Sequence, residues 1–151
     1  MCIRDRLRIV GGISYNAFEQ SFAEQIHATF ENPQLPLGSE AEVQPYELSL
    51  GFASTDVGDV SIAVPTAGIS TATWVPGTAA HSWQSTAASG MTIGFKGAQV
   101  AAKTLTLAAI ELFENPALRE AAIAEFEARR GAGFRYEALL GDRPPPLDYR
   151  N

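Results

Sequence analysis

GISTATWV, residues 68–75, is the stretch on which the fold turns. Ile69, Thr71, Thr73 and Val75 alternate with Ser70, Ala72 and Trp74. This period of two, with its β-branched and aromatic content, predicts a β-strand. Gly68 bounds it on one side and Pro76-Gly77 on the other. Both faces are small or apolar, so burial on both sides is expected, as in a sheet covered by helices. The segment empties into PGTAAHSWQSTAASG, residues 76–90, and α/β folds place ligands in loops at the carboxyl ends of strands. The expected fold class is therefore α/β.

Helices are expected around that strand. Residues 93–113 read as one long helix with Gly97, Val100, Ala101, Leu105, Ala108 and Leu112 on its inner face, the alanines allowing close approach to a sheet. Asn115-Pro116 caps and opens another helix to Arg130, with Leu118, Ala122 and Phe126 as its stripe and Gly131 at its end. Upstream, residues 16–30 form a helix that Asn16 caps with Glu19 in capping-box position. Its stripe is Phe18, Phe22 and Ile26, widened by Ala23 and Phe30. Asn32-Pro33 ends it, and residues 33–45 are an acidic, proline-rich linker without regular structure. The tail GDRPPPLDYRN, residues 141–151, is expected to lie extended against the surface.

The chain is 151 residues long and carries 17 acids against 11 bases. Residues 9–95 contain no Lys or Arg but eight acids, whereas eight bases balance eight acids from Lys96 onward. A cation-free stretch of that length cannot hold a phosphate backbone, which argues against nucleic acid as a partner. No apolar run is long enough to span a membrane. Gly11, Gly12 and Ser14 interrupt what could have been a signal-peptide core. The single cysteine, Cys2, permits neither an internal disulfide nor a cysteine-based zinc site, and the default compartment is the cytoplasm.

Few residues carry chemistry on their own. There is no nucleophile elbow, phosphate loop, HExxH or CxxC. His27 sits one residue off its helix stripe and reads as a surface side chain. His81, in the loop after the strand and far from any cation, is the better candidate ligand, although one imidazole does not make a metal site. Glu40, Glu42 and Glu47 lie in the proline-rich linker and read as solvated. In LSLGFASTDVGDVSI, residues 48–62, Ser54 and Thr55 lead into Asp56, followed by Asp59. These acids could contact a metal or a substrate amine. They could equally be an N-cap and a first-turn acid, the commoner use of such spacing.

The run FASTDVGDVSIAVPTAGISTATWVPGTAAHSWQ, followed by MTIGFKGAQVAAKTLTLAAIELF, resembles the C-terminal part of the aminobenzoyl-glutamate utilisation family. That family is an amidohydrolase branch of the dinuclear-metal peptidases that include aminoacylase and carboxypeptidase G. The STDVGDVS segment, the PGT before His81 and the HSWQ motif carry the resemblance, as does FEQSFAEQIHATF more loosely, and it covers roughly residues 13–113. It implies a helix-flanked central-sheet catalytic domain with an inserted lid used for dimerisation, or pairing with a paralogous subunit. It also implies hydrolysis of an amide or dipeptide-like small molecule at two divalent ions, zinc or manganese, with a glutamate shuttling the proton. The family's last metal ligand matches His81. Its Ser-acid-Asp segment matches Ser54, Thr55 and Asp56, with Thr55 in place of the acid. These three, with Asp59, Gly77 and Thr78, are carried over as substrate-lining or ligand-orienting residues. The family's other ligands and its catalytic glutamate match nothing in this chain, so no catalytic residue is assigned.

MCIRDRLR, residues 1–8, resembles the leader that translated sequencing adapters leave on environmental gene fragments. The expectation is a non-native leader followed by residues 9–151 as the C-terminal portion of a metallo-amidohydrolase, with the lid and N-terminal part missing. The competing expectation is a noncatalytic stand-alone subunit or binding module that keeps the family's C-terminal segment.

Overall fold

The computed structural model describes residues 3–47, 55–138 and 141–148. Six α-helices run in the order α1 (Ile3–Val10), α2 (Ala17–His27), α3 (Val57–Ala63), α4 (Trp83–Ser89), α5 (Thr92–Glu114) and α6 (Pro116–Arg130), with a 3-10 turn at Ser39–Ala41. The long helix α5, about 35 Å from end to end, is the spine. Helices α1 and α4 pack along it, and α6 follows it across a one-residue break.

The α/β expectation is overturned. Among the described residues there is no strand, and residues 68–75 run as an irregular strap across α5. A strand exists only if a neighbour takes its N–H and C=O groups, and among the described residues no backbone hydrogen bond joins this segment to another one. Its alternating side chains are satisfied by a helix instead. Thr71 Oγ1 donates to the Gly97 carbonyl at 3.0 Å, Trp74 Nε1 donates to Ser89 Oγ at 2.7 Å, and Val75 is buried in the core. Thr73 N–H turns back onto the Thr71 carbonyl at 2.8 Å, which bends the segment. The β-branched period of two thus marks a half-buried segment that rests on helices and buries only Val75 completely, without a sheet.

The expected helices appear where local chemistry is strongest. Asn16 Oδ1 accepts from Glu19 N–H at 2.9 Å and Glu19 Oε2 accepts from Asn16 N–H at 2.7 Å, completing the capping box of α2. Asn115 Oδ1 accepts from Leu118 N–H at 3.1 Å to open α6, and Gly131 ends it at φ 82°. Residues 3–10, whose first six fall in the expected leader 1–8, form α1, with Arg6 bridging to Glu111 of α5 at 2.6 Å.

Helix faces differ from the expectation in detail. The buried face of α5 is Ile93, Gly94, Gly97, Val100, Thr104 and Ala108, whereas Leu105 and Leu112 are exposed. Close approach of the strap selects small residues on the contact line, and Thr104 can be buried because its hydroxyl donates to the Val100 carbonyl at 2.8 Å. Phe18 of the expected α2 stripe is exposed, while Ala23 and Ile26 join Ile13, Val75, Ala88, Ile93 and Val100 in the core. Nothing in α3 or α6 is fully buried.

Gly97 sets the distance between strap and helix. A methyl group there would stand 2.6 Å from the Ala72 carbonyl carbon and 2.8 Å from Thr73 N. Alanine ordinarily favours a helix over glycine by about 1 kcal/mol, but here overpacking against main chain outweighs that gain. Gly97→Ala is expected to destabilise the chain by about 1–3 kcal/mol. Gly58→Ala in α3, where no atom lies within 4 Å of the new methyl, should be neutral or stabilising. Urea denaturation of both variants checks this, and a Gly97→Ala chain as stable as the parent would contradict the packing.

Candidate functional site

A cleft of about 730 Å³ opens between α1, the loop that precedes α3 and the strap. Its walls are mostly apolar, with Leu7, Ile13, Trp74, Val75 and Val100 among the side chains that line it. Gly77 and Thr78, both carried over as site residues, stand on this wall. Gly77 has φ 86°, a left-handed conformation that glycine adopts freely, and it closes the strap onto Pro33. Thr78 Oγ1 donates to the Val75 carbonyl at 2.7 Å.

A buried ionic cluster links α2 to the start of α5. Glu19 is fully buried, and its carboxylate receives Lys96 Nζ at 2.5 Å, Thr92 Oγ1 at 2.5 Å and Asn16 N–H. Lys96 also donates to the Ser14 carbonyl at 2.8 Å. Burial alone would raise the Glu19 carboxyl, but the hydrogen bonds from Lys96, Thr92 and Asn16 and the lysine charge outweigh it and hold the group down at about 2. Nearby, the Tyr15 hydroxyl is buried without a hydrogen-bond partner among the described residues. Its burial, and the negative charges of Glu40 and Glu19, push its pKa well above the usual tyrosine range. Glu40 is buried too, accepting the Gly38 N–H at 2.8 Å while its carbonyl accepts the Ile13 N–H at 2.9 Å.

The remaining site residues are spread apart from the cleft. His81 is exposed at φ 60°, an uncommon backbone conformation outside glycine, directly before Ser82 caps α4. Asp56 occupies the position before α3 but makes no side-chain capping bond, so the cap expected there is not formed. Thr55 Oγ1 instead accepts the Val57 N–H at 3.3 Å. Partial desolvation, together with the neighbouring Asp59 carboxylate, raises the Tyr136 hydroxyl above its ordinary value. Ser54 lies outside the described residues. Thr55, Asp56, Asp59 and His81 do not line the cleft.

The sequence shows Glu19 only as a capping-box acid. The signal that it has a cationic partner is Lys96 itself, the first cation after Arg8, placed one residue before the glycine on which the strap rests. Tyr15 and Glu40 carry no comparable signal.

No family model matches the chain, and no solved structure matches it. Among curated proteins it resembles a subunit of the p-aminobenzoyl-glutamate hydrolase of Escherichia coli (strain K12), with 32% identity over 133 residues, 72% of this chain. The chain spans 28% of that relative's length. The resemblance to the aminobenzoyl-glutamate utilisation family is thereby borne out. None of the described helices is long and apolar enough to cross a membrane.

The Glu19 cluster makes stability depend on pH in a defined window. The folded carboxyl titrates at about 2 rather than at its ordinary 4.5. Its contribution is therefore fully present above 4.5 and is lost as the pH falls toward 2, a total of about 3 kcal/mol. Denaturant unfolding at pH 7, 4.5 and 2.5 should show this decline in the parent chain. In Glu19→Gln the stability at pH 7 should already be lower and the decline over that window shallower. An unchanged pH profile in the variant would contradict the assignment.

Proposed function

We propose that this chain is the C-terminal portion of a metal-dependent amidohydrolase that acts on aminobenzoyl-glutamate-type or aminoacyl amides, working as one subunit of an assembly in the cytoplasm. The observation that carries the proposal is the similarity to a p-aminobenzoyl-glutamate hydrolase subunit. The motif HSWQ after the strap supports it with a histidine whose ring is open to solvent.

Among the described residues no three His, Cys, Asp or Glu side chains come together to hold a metal ion. A two-metal centre therefore does not fit the described residues by themselves. His81 is proposed as a single ligand to zinc or manganese in the longer protein. Ser54, Thr55, Asp56, Asp59, Gly77 and Thr78 are proposed to orient ligands or line the substrate. The large apolar cleft favours a second reading, a noncatalytic subunit or binding module, because predominantly apolar concavities of this size are where small ligands are held.

Two measurements separate these readings. The 151-residue chain alone should release no p-aminobenzoate from p-aminobenzoyl-glutamate with zinc or manganese present, whereas the longer reading frame that contains it should. In that longer protein His81→Ala should abolish turnover and lower bound metal measured by elemental analysis. Asp56→Asn, which keeps the side-chain shape, should cost roughly 10–100-fold in activity or metal affinity if its charge orients a ligand. Full metal content in His81→Ala would refute the ligand assignment, and a longer protein without amidase activity would favour the binding module.

A further inference from the structure

Helix α5 buries one side against the strap and α1 and leaves the opposite side uncovered. That open side is not polar. Phe95, Ala98, Ala102, Leu105, Ala109 and Leu112 recur at alternating steps of three and four residues, and all six are exposed. This is the spacing of the a and d positions of a heptad, which lays a straight apolar seam along one face of a helix. The buried residues Gly97, Val100, Thr104 and Ala108 belong to the other face. No charged residue interrupts the seam, and Thr106 at its margin spends its hydroxyl on the Ala102 carbonyl at 2.8 Å. Phe113, 84% exposed, extends its far end.

The order of sizes along the seam identifies what fits it. In an antiparallel pair whose twofold axis passes between Lys103 and Thr104, Phe95 meets Leu112 of the second copy, Ala98 meets Ala109, and Ala102 meets Leu105. Every a position then faces a d position. Large residues meet at both ends, small ones meet next to them, and each central leucine fills the space above an alanine. A pattern that is its own complement under a twofold axis is what an isologous interface needs, and an unrelated partner would impose no such symmetry. In a parallel pair Ala98 and Ala102 would each face themselves, leaving two thin layers in succession, and the helix dipoles would align unfavourably. The flanking residues Gln99, Ala101 and Thr106 are uncharged, so a second copy meets no like charge there. With aromatic side chains of roughly 150–250 Å² and the leucines between them, the two copies together offer on the order of 1,000 Å² of apolar surface, enough for a specific interface. We propose that α5 pairs antiparallel with α5 of a second copy of this chain through this seam. The pairing goes beyond the hydrolase reading and does not depend on it.

Sedimentation of the 151-residue chain should show a monomer–dimer equilibrium that moves toward dimer as concentration rises. Leu105→Glu, at an exposed position beside the twofold axis, should weaken the dimer at least about a hundredfold and leave the helical circular dichroism unchanged. Leu147→Glu, at an equally exposed leucine far along the chain, should leave the equilibrium where it was. With Cys2→Ser removing the native thiol, chains carrying Ala98→Cys mixed with chains carrying Ala109→Cys should form a disulfide-linked pair under mild oxidation. Neither variant should crosslink by itself, because like positions stand about 16 Å apart along antiparallel helices. Crosslinking of each variant alone, a monomer at every concentration, or a dimer that Leu105→Glu leaves intact overturns the proposal. In the longer protein, failure of the same mixed pair to crosslink would assign the seam to the rest of that chain and overturn the second-copy assignment.

Discussion

Everything in this fold is arranged around the close approach of residues 72–73 to Gly97. Main chain lying directly on a helix leaves no room for a side chain at the contact, so α5 must present glycine there and small or self-bonded residues along the same line. Thr104 and Ala108 continue that line, and larger neighbours such as Leu105 turn outward. The strap, held down, carries Val75 into the core and delivers Trp74 to Ser89. The geometry of α4, of the loop holding His81 and of the cleft wall follows from where that strap is pinned.

The Glu19–Lys96 pair secures the other side of the same helix. A fully buried carboxylate is costly unless its lone pairs are filled, and this one receives a lysine, a hydroxyl and a main-chain N–H. It joins the start of α2 to the first turns of α5, so the core residues Ala23, Ile26 and Ile93 meet in one register. Breaking such a pair leaves an uncompensated buried charge, which is why the cluster is specific as well as stabilising. The weakly packed elements, α3 and α6, have no comparable anchor among the described residues and bury nothing completely.

Helices whose ends carry their own chemistry were legible in the sequence. Asn16 with Glu19, and Asn115 with Pro116, determine local hydrogen bonds that need no tertiary partner, and α2 and α6 begin where those residues place them. The strap was not legible, because a period of two with β-branched residues reads as a strand whether or not a neighbouring strand takes up its main-chain groups. Thr71 and Val75 look the same in a sheet as they do against α5. Asp56 shows the same limit, since its spacing fits a cap that the structure does not form. For the site, Gly77 and Thr78 reach a cleft wall, while His81 stands in the solvent-exposed loop that the sequence suggested. The ligand role proposed for it would need partners that the described residues do not bring near it.

The central claim is that residues 68–75 are an irregular strap supported by a helix. Backbone chemical shifts and amide exchange by nuclear magnetic resonance test it most directly. The account predicts helical shifts and slow exchange through the buried stretch of α5 around Val100 and Thr104, with non-strand shifts and fast exchange at residues 69–72 in the isolated chain. Strand-like shifts with slow exchange at those four amides would show a paired strand and contradict the fold described above.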